Sequence, residues 1–191
     1  MNRNNKNIFP ELVLVFPTKE FEDRAAEYKR EFFDCGEPVI NGSALWDKTD
    51  AYDAWLKQII NNSDEKTVQP DWVVSSTFFG VREKDGKIVG MIDVRHHTDH
   101  PFLREYGGHI GYSIRPTERN KGYATEMLTL ALDYCRGLGL KKVMLGCYKD
   151  NTASIRTIEK CGGVCEKEIN YTDGKPMLVF WIEINKMKEN P

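Results

Sequence analysis

The feature that most constrains the fold is a strand–loop–helix segment in the middle of the chain. The strand, at about 108–114, stops at Pro116, and the loop after it contains Gly122. Apolar residues beyond the loop fall on one stripe of a long helix: Ala124, Met127, Leu128, Ala131, Cys135 and Leu138. A loop that leads into a helix presents unpaired backbone N–H groups and the positive end of the helix dipole. The segment therefore predicts an anion site suited to phosphate or pyrophosphate.

Upstream of this segment the pattern predicts two helices and then a hairpin. A short strand at 12–16 is followed by a helix that Thr18 can cap, and a second amphipathic helix contains Trp55. We expect both helices to pack on one edge of a sheet. Two β-rich runs then meet at Asp85-Gly86, which is typical of a β-hairpin turn.

Downstream of the long helix the pattern returns to strands. A strand at 142–148 precedes a short helix after Asn151, and an antiparallel pair at about 164–170 and 177–184 follows. The whole order predicts a mixed α/β protein of the α+β type, in which helices flank a mostly antiparallel sheet.

Charge and cysteine usage exclude several classes of function. The 191 residues carry 27 Lys and Arg against 29 Asp and Glu, a formal charge of −2, so nucleic acid is not expected as a partner. The apolar run at 12–16 is too short for a signal peptide or a membrane span, which predicts a cytoplasmic protein that does not bind membranes. The five cysteines form no CxxC pair, so we expect reduced thiols and no metal site.

The spacing Arg119-x-x-Gly122-x-Ala124 resembles the Arg/Gln-x-x-Gly-x-Gly/Ala loop of the GNAT superfamily of acyl-CoA N-acyltransferases. Its flanks are similar as well, because Ile114-Arg-Pro precedes the loop, Asn151-x-x-Ser opens the short helix and Cys161-Gly ends it. The resemblance covers about 107–163 and weakens toward residue 71.

This resemblance implies a single GNAT-like domain over 1–191, with a strand and helices over about 1–70 and the sheet and acyl-CoA-binding core over about 71–185. It implies that the strands 108–115 and 142–148 are parallel neighbours that splay apart around the acetyl-CoA thioester. The residues implied to bind acetyl-CoA are Ile114, Arg119, Asn120, Lys121, Gly122, Tyr123, Ala124, Thr125, Asn151 and Ser154. The implied reaction is acetyl transfer to a primary amine by direct attack, without a metal.

The catalytic side chains are less constrained. Ile158 stands where many GNAT enzymes carry the tyrosine that protonates the leaving thiolate, and Gly163 replaces a common phenylalanine. General acid–base work needs His, carboxylate or Tyr side chains near the reacting atoms. The candidates are His109, Tyr112, His96, Asp93 and Tyr148, and an acyl-cysteine on Cys147 is a further route.

The sequence leaves two alternatives to an acetyltransferase open. A non-catalytic acyl-CoA-binding or sensing domain would explain Ile158. A nucleotide-phosphate site is disfavoured because the sequence lacks GxxxxGK[ST]. An exposed edge strand near the C-terminus is compatible with a homodimer.

Overall fold

The computed structural model describes residues 11–184. Its strands are β1 (Leu12–Val15), β2 (Ser75–Arg82), β3 (Lys87–Arg95), β4 (Ile110–Ile114), β5 (Lys142–Tyr148), β6 (Val164–Asn170) and β7 (Pro176–Glu183). Its α-helices are α1 (Glu22–Asp34), α2 (Tyr52–Asn62), α3 (Tyr123–Gly137) and α4 (Thr152–Lys160). None of the helices within 11–184 has the length and apolar character needed to cross a membrane.

The strands form two antiparallel sheets. The first has the order β1-β2-β3-β4, and the second has the order β5-β7-β6. Arg82 pairs with Lys87 across the turn between β2 and β3, which confirms the predicted Asp85-Gly86 hairpin. The prediction of a mixed α/β fold with helices flanking mostly antiparallel sheet is confirmed.

The first sheet has a hydrophobic core on each face. Alternating strand residues such as Phe79 and Met91 pack against α1 and α2, whereas Val89 and Ile92 point to the opposite face, toward α3. The expectation that α1 and α2 pack on an edge of the sheet is therefore wrong. Their apolar stripes are wide enough to cover a face, and the side chains of Trp55 and Tyr28 are fully buried there.

The start of α1 also differs from the prediction. Thr18 precedes a short 3-10 turn at Lys19–Phe21, and its side chain makes no capping hydrogen bond. The α-helix itself begins at Glu22. The carbonyl of Thr18 instead accepts hydrogen bonds from the Phe21 N–H and from the Tyr52 hydroxyl, which ties the turn to α2.

Candidate active site

The two sheets meet where β4 begins. The backbone N–H of His109 donates to the Met144 carbonyl of β5 at 2.8 Å. Beyond this junction β4 pairs with β3, whereas β5 pairs with β7. The strands β4 and β5 therefore move apart. Both run toward the same end, because Tyr112 on β4 contacts Ser154 just past β5. The divergence opens a wedge between the two strands.

His109 is one of the residues that hold this junction. Its ring Nδ1 accepts a hydrogen bond from the Met144 N–H at 3.0 Å and replaces the backbone acceptor that the diverging strand no longer offers. Burial lowers the pKa of His109 to about 4, and the Arg95 cation acts in the same direction. The ring is therefore neutral, with its proton on Nε2.

A cleft of about 620 Å³, termed the main cleft, lies at the open end of the wedge. It is lined by Tyr112 and Ile114 of β4, by the loop before α3 and by the first turns of α4. Of the ten residues that the resemblance implied for acetyl-CoA, all but Lys121 line it. Residues that are 40 positions apart in sequence, Ile114 and Ser154, thus share one site.

The loop before α3 is shaped to expose its backbone. Asn120 has φ 62° and Gly122 has φ 93°, both left-handed, and α3 begins at Tyr123. Within the described chain, no protein acceptor receives the backbone N–H groups from Asn120 to Ala124. A Cβ at Gly122 would have no atom within 4 Å, so space lies open in front of these amides. Such an array at a helix N-terminus suits an anion.

The cations of this loop are already paired. The Arg119 guanidinium makes two hydrogen bonds to the Glu37 carboxylate at 2.7 and 2.6 Å, and Lys121 binds Glu118 at 2.8 Å. Arg115 is buried between Glu27 and Glu31 of α1, at 3.2 Å from each. The positive charges of this loop are therefore neutralised by neighbouring carboxylates, mostly from the α1 region.

Glu118 anchors the loop before α3 to the β2–β3 hairpin. Its buried carboxylate binds Arg82, Lys87 and Lys121 at 2.8–2.9 Å. Burial alone would raise the pKa of Glu118, but the hydrogen bonds from these three cations outweigh it and lower the pKa to about 2. The carboxylate is thus ionised at neutral pH and holds the loop to the β2–β3 hairpin.

Two cations of the main cleft remain available. Arg156 and Lys160 line it from α4, one helical turn apart and exposed. Among residues 11–184, neither forms an ion pair or side-chain hydrogen bond. Sequence reasoning missed both residues, although their spacing after Asn151 places them on one face of the predicted helix.

Tyr112 brings a hydroxyl to the place where the wedge meets α4. Its oxygen lies 2.9 Å from the Ser154 hydroxyl, and burial raises the pKa of Tyr112 to about 12. The Asn151 side chain caps α4 by accepting from the Ser154 N–H at 3.0 Å. Ile158, one turn further along α4, is buried in the core. A phenol from β4 therefore stands in the main cleft while Ile158 is withdrawn from it.

A second cavity, of about 390 Å³, borders the segment between α1 and α2, the start of β2 and the end of β3. Val39 and Asn41, in the segment between α1 and α2, line both spaces. The same segment runs against β4 at Gly42, where a Cβ would overlap the Gly111 carbonyl. Close backbone contact at this glycine thus holds the shared wall, the segment with Val39 and Asn41 that borders both spaces.

Asp93 and Arg95 form the inner charged pair of the second cavity. The Asp93 carboxylate accepts a hydrogen bond from Thr77 Oγ1 at 2.9 Å and forms an ion pair with Arg95, whose Nε lies 3.0 Å away. The carboxylate is almost fully buried. The Arg95 guanidinium also donates to the Gly107 carbonyl at 3.1 Å. Asp93 is thus the only one of the five proposed catalytic residues that lines this cavity.

The remaining candidates lie elsewhere. His96 Nε2 is 3.0 Å from the Ser76 hydroxyl, which is 2.8 Å from the Tyr134 hydroxyl, and these residues line neither the main cleft nor the second cavity. The Tyr148 hydroxyl donates to Asp173 at 3.1 Å, away from both spaces. Cys147 is buried, and that burial raises the pKa of its thiol to about 11, which keeps it protonated at neutral pH.

Metal ligands are not grouped in the described chain. Within residues 11–184 there is no cluster of three or more His, Cys, Asp or Glu side chains that could hold a metal ion. The five cysteines are free thiols.

Comparisons with solved structures show the fold. The ribosomal-protein-S5-alanine acetyltransferase from Vibrio fischeri aligns with a TM-score of 0.68 at 17% identity, over 97% of this chain and 98% of that chain. The microcin C7 self-immunity acetyltransferase MccE, in complex with acetyl-CoA and AMP, aligns with a TM-score of 0.66 at 16% identity. The alignment covers 91% of this chain and 93% of that chain. The dodecameric spermidine N-acetyltransferase from Vibrio cholerae aligns with a TM-score of 0.62 at 16% identity, over 94% of this chain and 97% of that chain.

No curated protein matches the chain in sequence. Residues 22–164, however, match the family described as "Acetyltransferase (GNAT) domain". The match includes α1 and α2, where the sequence patterns showed no resemblance. The chain therefore belongs to the GNAT acetyltransferase family, a family of acyl-CoA N-acyltransferase enzymes.

Proposed function

We propose that the protein transfers an acetyl group from acetyl-CoA to a primary amine by direct attack in a ternary complex. The observation that carries the proposal is the row of unpaired N–H groups from Asn120 to Ala124, which faces open space at the N-terminus of α3. These amides would bind the pyrophosphate of the cofactor. Arg156 and Lys160 are the free cations of the main cleft, and they would bind further phosphate oxygens.

The pantetheine arm would lie in the wedge between β4 and β5. Successive N–H groups of a strand point to opposite edges, and the Arg115 N–H donates to Val89 on β3. The Ile114 N–H therefore points into the wedge, where it would bind the thioester carbonyl and stabilise the oxyanion. In the reaction the ammonium first loses a proton to solvent water, and the free amine attacks this carbonyl carbon. A C–N bond forms, the C–S bond breaks, the nitrogen releases its second proton to solvent water, and CoA leaves as a thiolate.

Tyr112 is the proposed proton donor to that thiolate. Its hydroxyl lies in the main cleft beside Ser154, and its raised pKa keeps it protonated across the neutral and alkaline range. A phenol on β4 would thus serve the purpose that a tyrosine at position 158 serves in many relatives. Tyr148, whose hydroxyl is bound to Asp173, would have no part in the transfer.

The acceptor would enter through the second cavity, which shares Val39 and Asn41 with the main cleft. Asp93 is the carboxylate that would attract the incoming ammonium, with Arg95 holding it in place. We propose that His109 is a positioning residue, because its ring nitrogen is used to hold the strand junction.

The test is a CoA-release assay with acetyl-CoA against pooled primary amines, followed by mass spectrometry of the products. The expected result is steady CoA release that depends on the amine, with a product heavier by one acetyl group. Acetyl-CoA binding without release for any amine would contradict the proposal and favour a binding domain.

A further inference from the structure

The rim of the second cavity is unusually apolar. Of the eight large hydrophobic side chains that are exposed in the described chain, three line this one cavity: Val39 (59% exposed), Leu45 (39%) and Phe102 (40%). Trp72, half-buried, lines it as well. Exposed apolar groups that collect around a concave site indicate contact with a ligand, whereas scattered ones are ordinary surface.

The part of this rim between α1 and α2 is preformed. Ala44 and Leu45 have φ angles of 49° and 68°, a left-handed conformation that side-chain-bearing residues rarely adopt. Hydrogen bonds from α2 hold it, because Trp55 Nε1 donates to the Ser43 carbonyl at 2.8 Å and Gln58 Nε2 to the Ala44 carbonyl at 3.0 Å. Strain of this kind persists where the surroundings fix it, and it concentrates at functional sites.

The charges of the second cavity nearly cancel. Three carboxylates line it against two cations, Lys48 and Arg95, which leaves a net charge of −1. Asp93 is bound to Arg95, and Asp47 accepts from the Ser43 hydroxyl at 2.7 Å. A polyamine would need several free carboxylates along its length. This cavity offers an environment for one ammonium group.

We infer that the acceptor is a primary monoamine whose amino group is carried by an aromatic or branched apolar group, with an arylalkylamine as the simplest member. The inference rests on the proposed function and names its substrate class. The apolar body would lie against Leu45, Trp72 and Phe102, and the amine would point toward the wall formed by Val39 and Asn41. The volume of about 390 Å³ lies at the small end of the range for ligand sites.

The experiment measures binding and turnover separately, using phenethylamine, ethanolamine, spermidine and a short peptide with a free N-terminal alanine. Binding is measured by calorimetry on the full chain saturated with CoA, and turnover by CoA release from acetyl-CoA. Burial of the ring predicts that phenethylamine exceeds ethanolamine in affinity and in kcat/KM by about 10- to 100-fold. Spermidine and the peptide are expected to fall below phenethylamine in both measurements.

A matched pair of variants tests the rim. Leu45→Asn removes an apolar side chain at a left-handed position that asparagine tolerates, so the fold should be retained. Ile60→Asn makes the same change at an exposed position on α2 outside the cavity. Leu45→Asn should raise KM for phenethylamine about 3- to 10-fold with KM for acetyl-CoA unchanged. Ile60→Asn should leave both unchanged.

Three results would contradict parts of this account. Spermidine or the peptide outperforming phenethylamine would overturn the substrate class while leaving acetyl transfer intact. Equal effects of Leu45→Asn and Ile60→Asn would also overturn it. Tight, ring-dependent binding of phenethylamine without CoA release would support the cavity assignment and overturn the acetyl-transfer proposal.

Discussion

The main cleft and the second cavity are built in different ways. The anion site proposed in the main cleft rests on the backbone of one short segment, Asn120–Ala124, together with the helix that follows. The second cavity is lined by side chains from four separate segments, at 39–48, 71–75, 93–95 and 100–103. A backbone site is retained when side chains change, whereas a side-chain site changes with each substitution. Substitutions of side chains should therefore affect the second cavity more than the backbone array of the main cleft.

Gly122→Val tests the backbone site and should have the largest effect. The side chain would fill the space in front of the free amides, so acetyl-CoA affinity should fall about 100- to 1,000-fold by calorimetry. Gly139→Val is the matched control, because Gly139 lies just past the other end of α3, with φ 79° and no atom within 4 Å of a Cβ. Equal affinity losses in both variants would mean that backbone strain, and not a blocked anion site, is responsible.

Tyr112→Phe tests the chemistry proposed for the main cleft. Loss of the proposed proton donor should lower kcat about 100-fold with acetyl-CoA affinity nearly unchanged. Tyr148→Phe, which removes a hydroxyl bound to Asp173, should retain wild-type kcat. A large loss in Tyr148→Phe with none in Tyr112→Phe would reverse the assignment.

The pH profile sharpens the same test. Because the pKa of Tyr112 is about 12, the phenol stays protonated and active until the pH approaches that value. The profile of kcat/KM should therefore rise through one limb set by the acceptor amine and show no descending limb up to pH 10. A descending limb near pH 10 that disappears in Tyr112→Phe would show that the phenol titrates normally.

Arg156→Ala tests how much acetyl-CoA binding in the main cleft depends on side chains. Arg156 is exposed and unpaired within the described chain, so its loss should weaken acetyl-CoA binding about 10-fold and reduce the salt dependence of that binding. Arg30→Ala removes an exposed cation on α1 outside the cleft and should change neither quantity. Unchanged acetyl-CoA affinity in Arg156→Ala would mean that the backbone N–H groups alone bind the anion.

Among the variants expected to change acetyl-CoA affinity, Glu37→Gln should change it least, and it should raise the affinity where the other substitutions in the main cleft lower it. It removes an anion from the main cleft and releases the Arg119 guanidinium, so acetyl-CoA should bind about two- to fivefold tighter. Glu27→Gln, which weakens an ion pair to Arg115 outside the cleft, is the control. Weaker binding in Glu37→Gln would show that the ion pair mainly positions the loop.

Local sequence patterns were sufficient for the loop of the main cleft and for the helices that flank it. The strand, the glycine loop and the helix are contiguous, and a hairpin turn or a helix stripe is set by neighbouring residues. The exposed amides at Gly122 and the capping role of Asn151 follow from such short-range rules. The GNAT family assignment, made from these motifs, was confirmed.

Contacts between distant segments could not be predicted. Arg119 pairs with Glu37, and Arg115 is buried against α1. Both contacts join residues more than 80 positions apart, so local sequence patterns do not reveal which carboxylates neutralise these cations. The His109 ring substitutes for a missing backbone partner, which is visible only once β4 and β5 diverge. Tyr112 could be proposed as a candidate, but its position beside Ser154 depends on the same tertiary arrangement.

The wall formed by Val39 and Asn41 has a thermodynamic consequence. Because these two residues line both spaces, any shift of the wall when one ligand binds changes the shape of the site for the other. Linkage then requires reciprocity, so CoA must alter the affinity for the amine by the same factor by which the amine alters the affinity for CoA. A substitution in this segment that changes the effect of CoA on the affinity for the proposed amine must therefore change the reverse effect by the same factor.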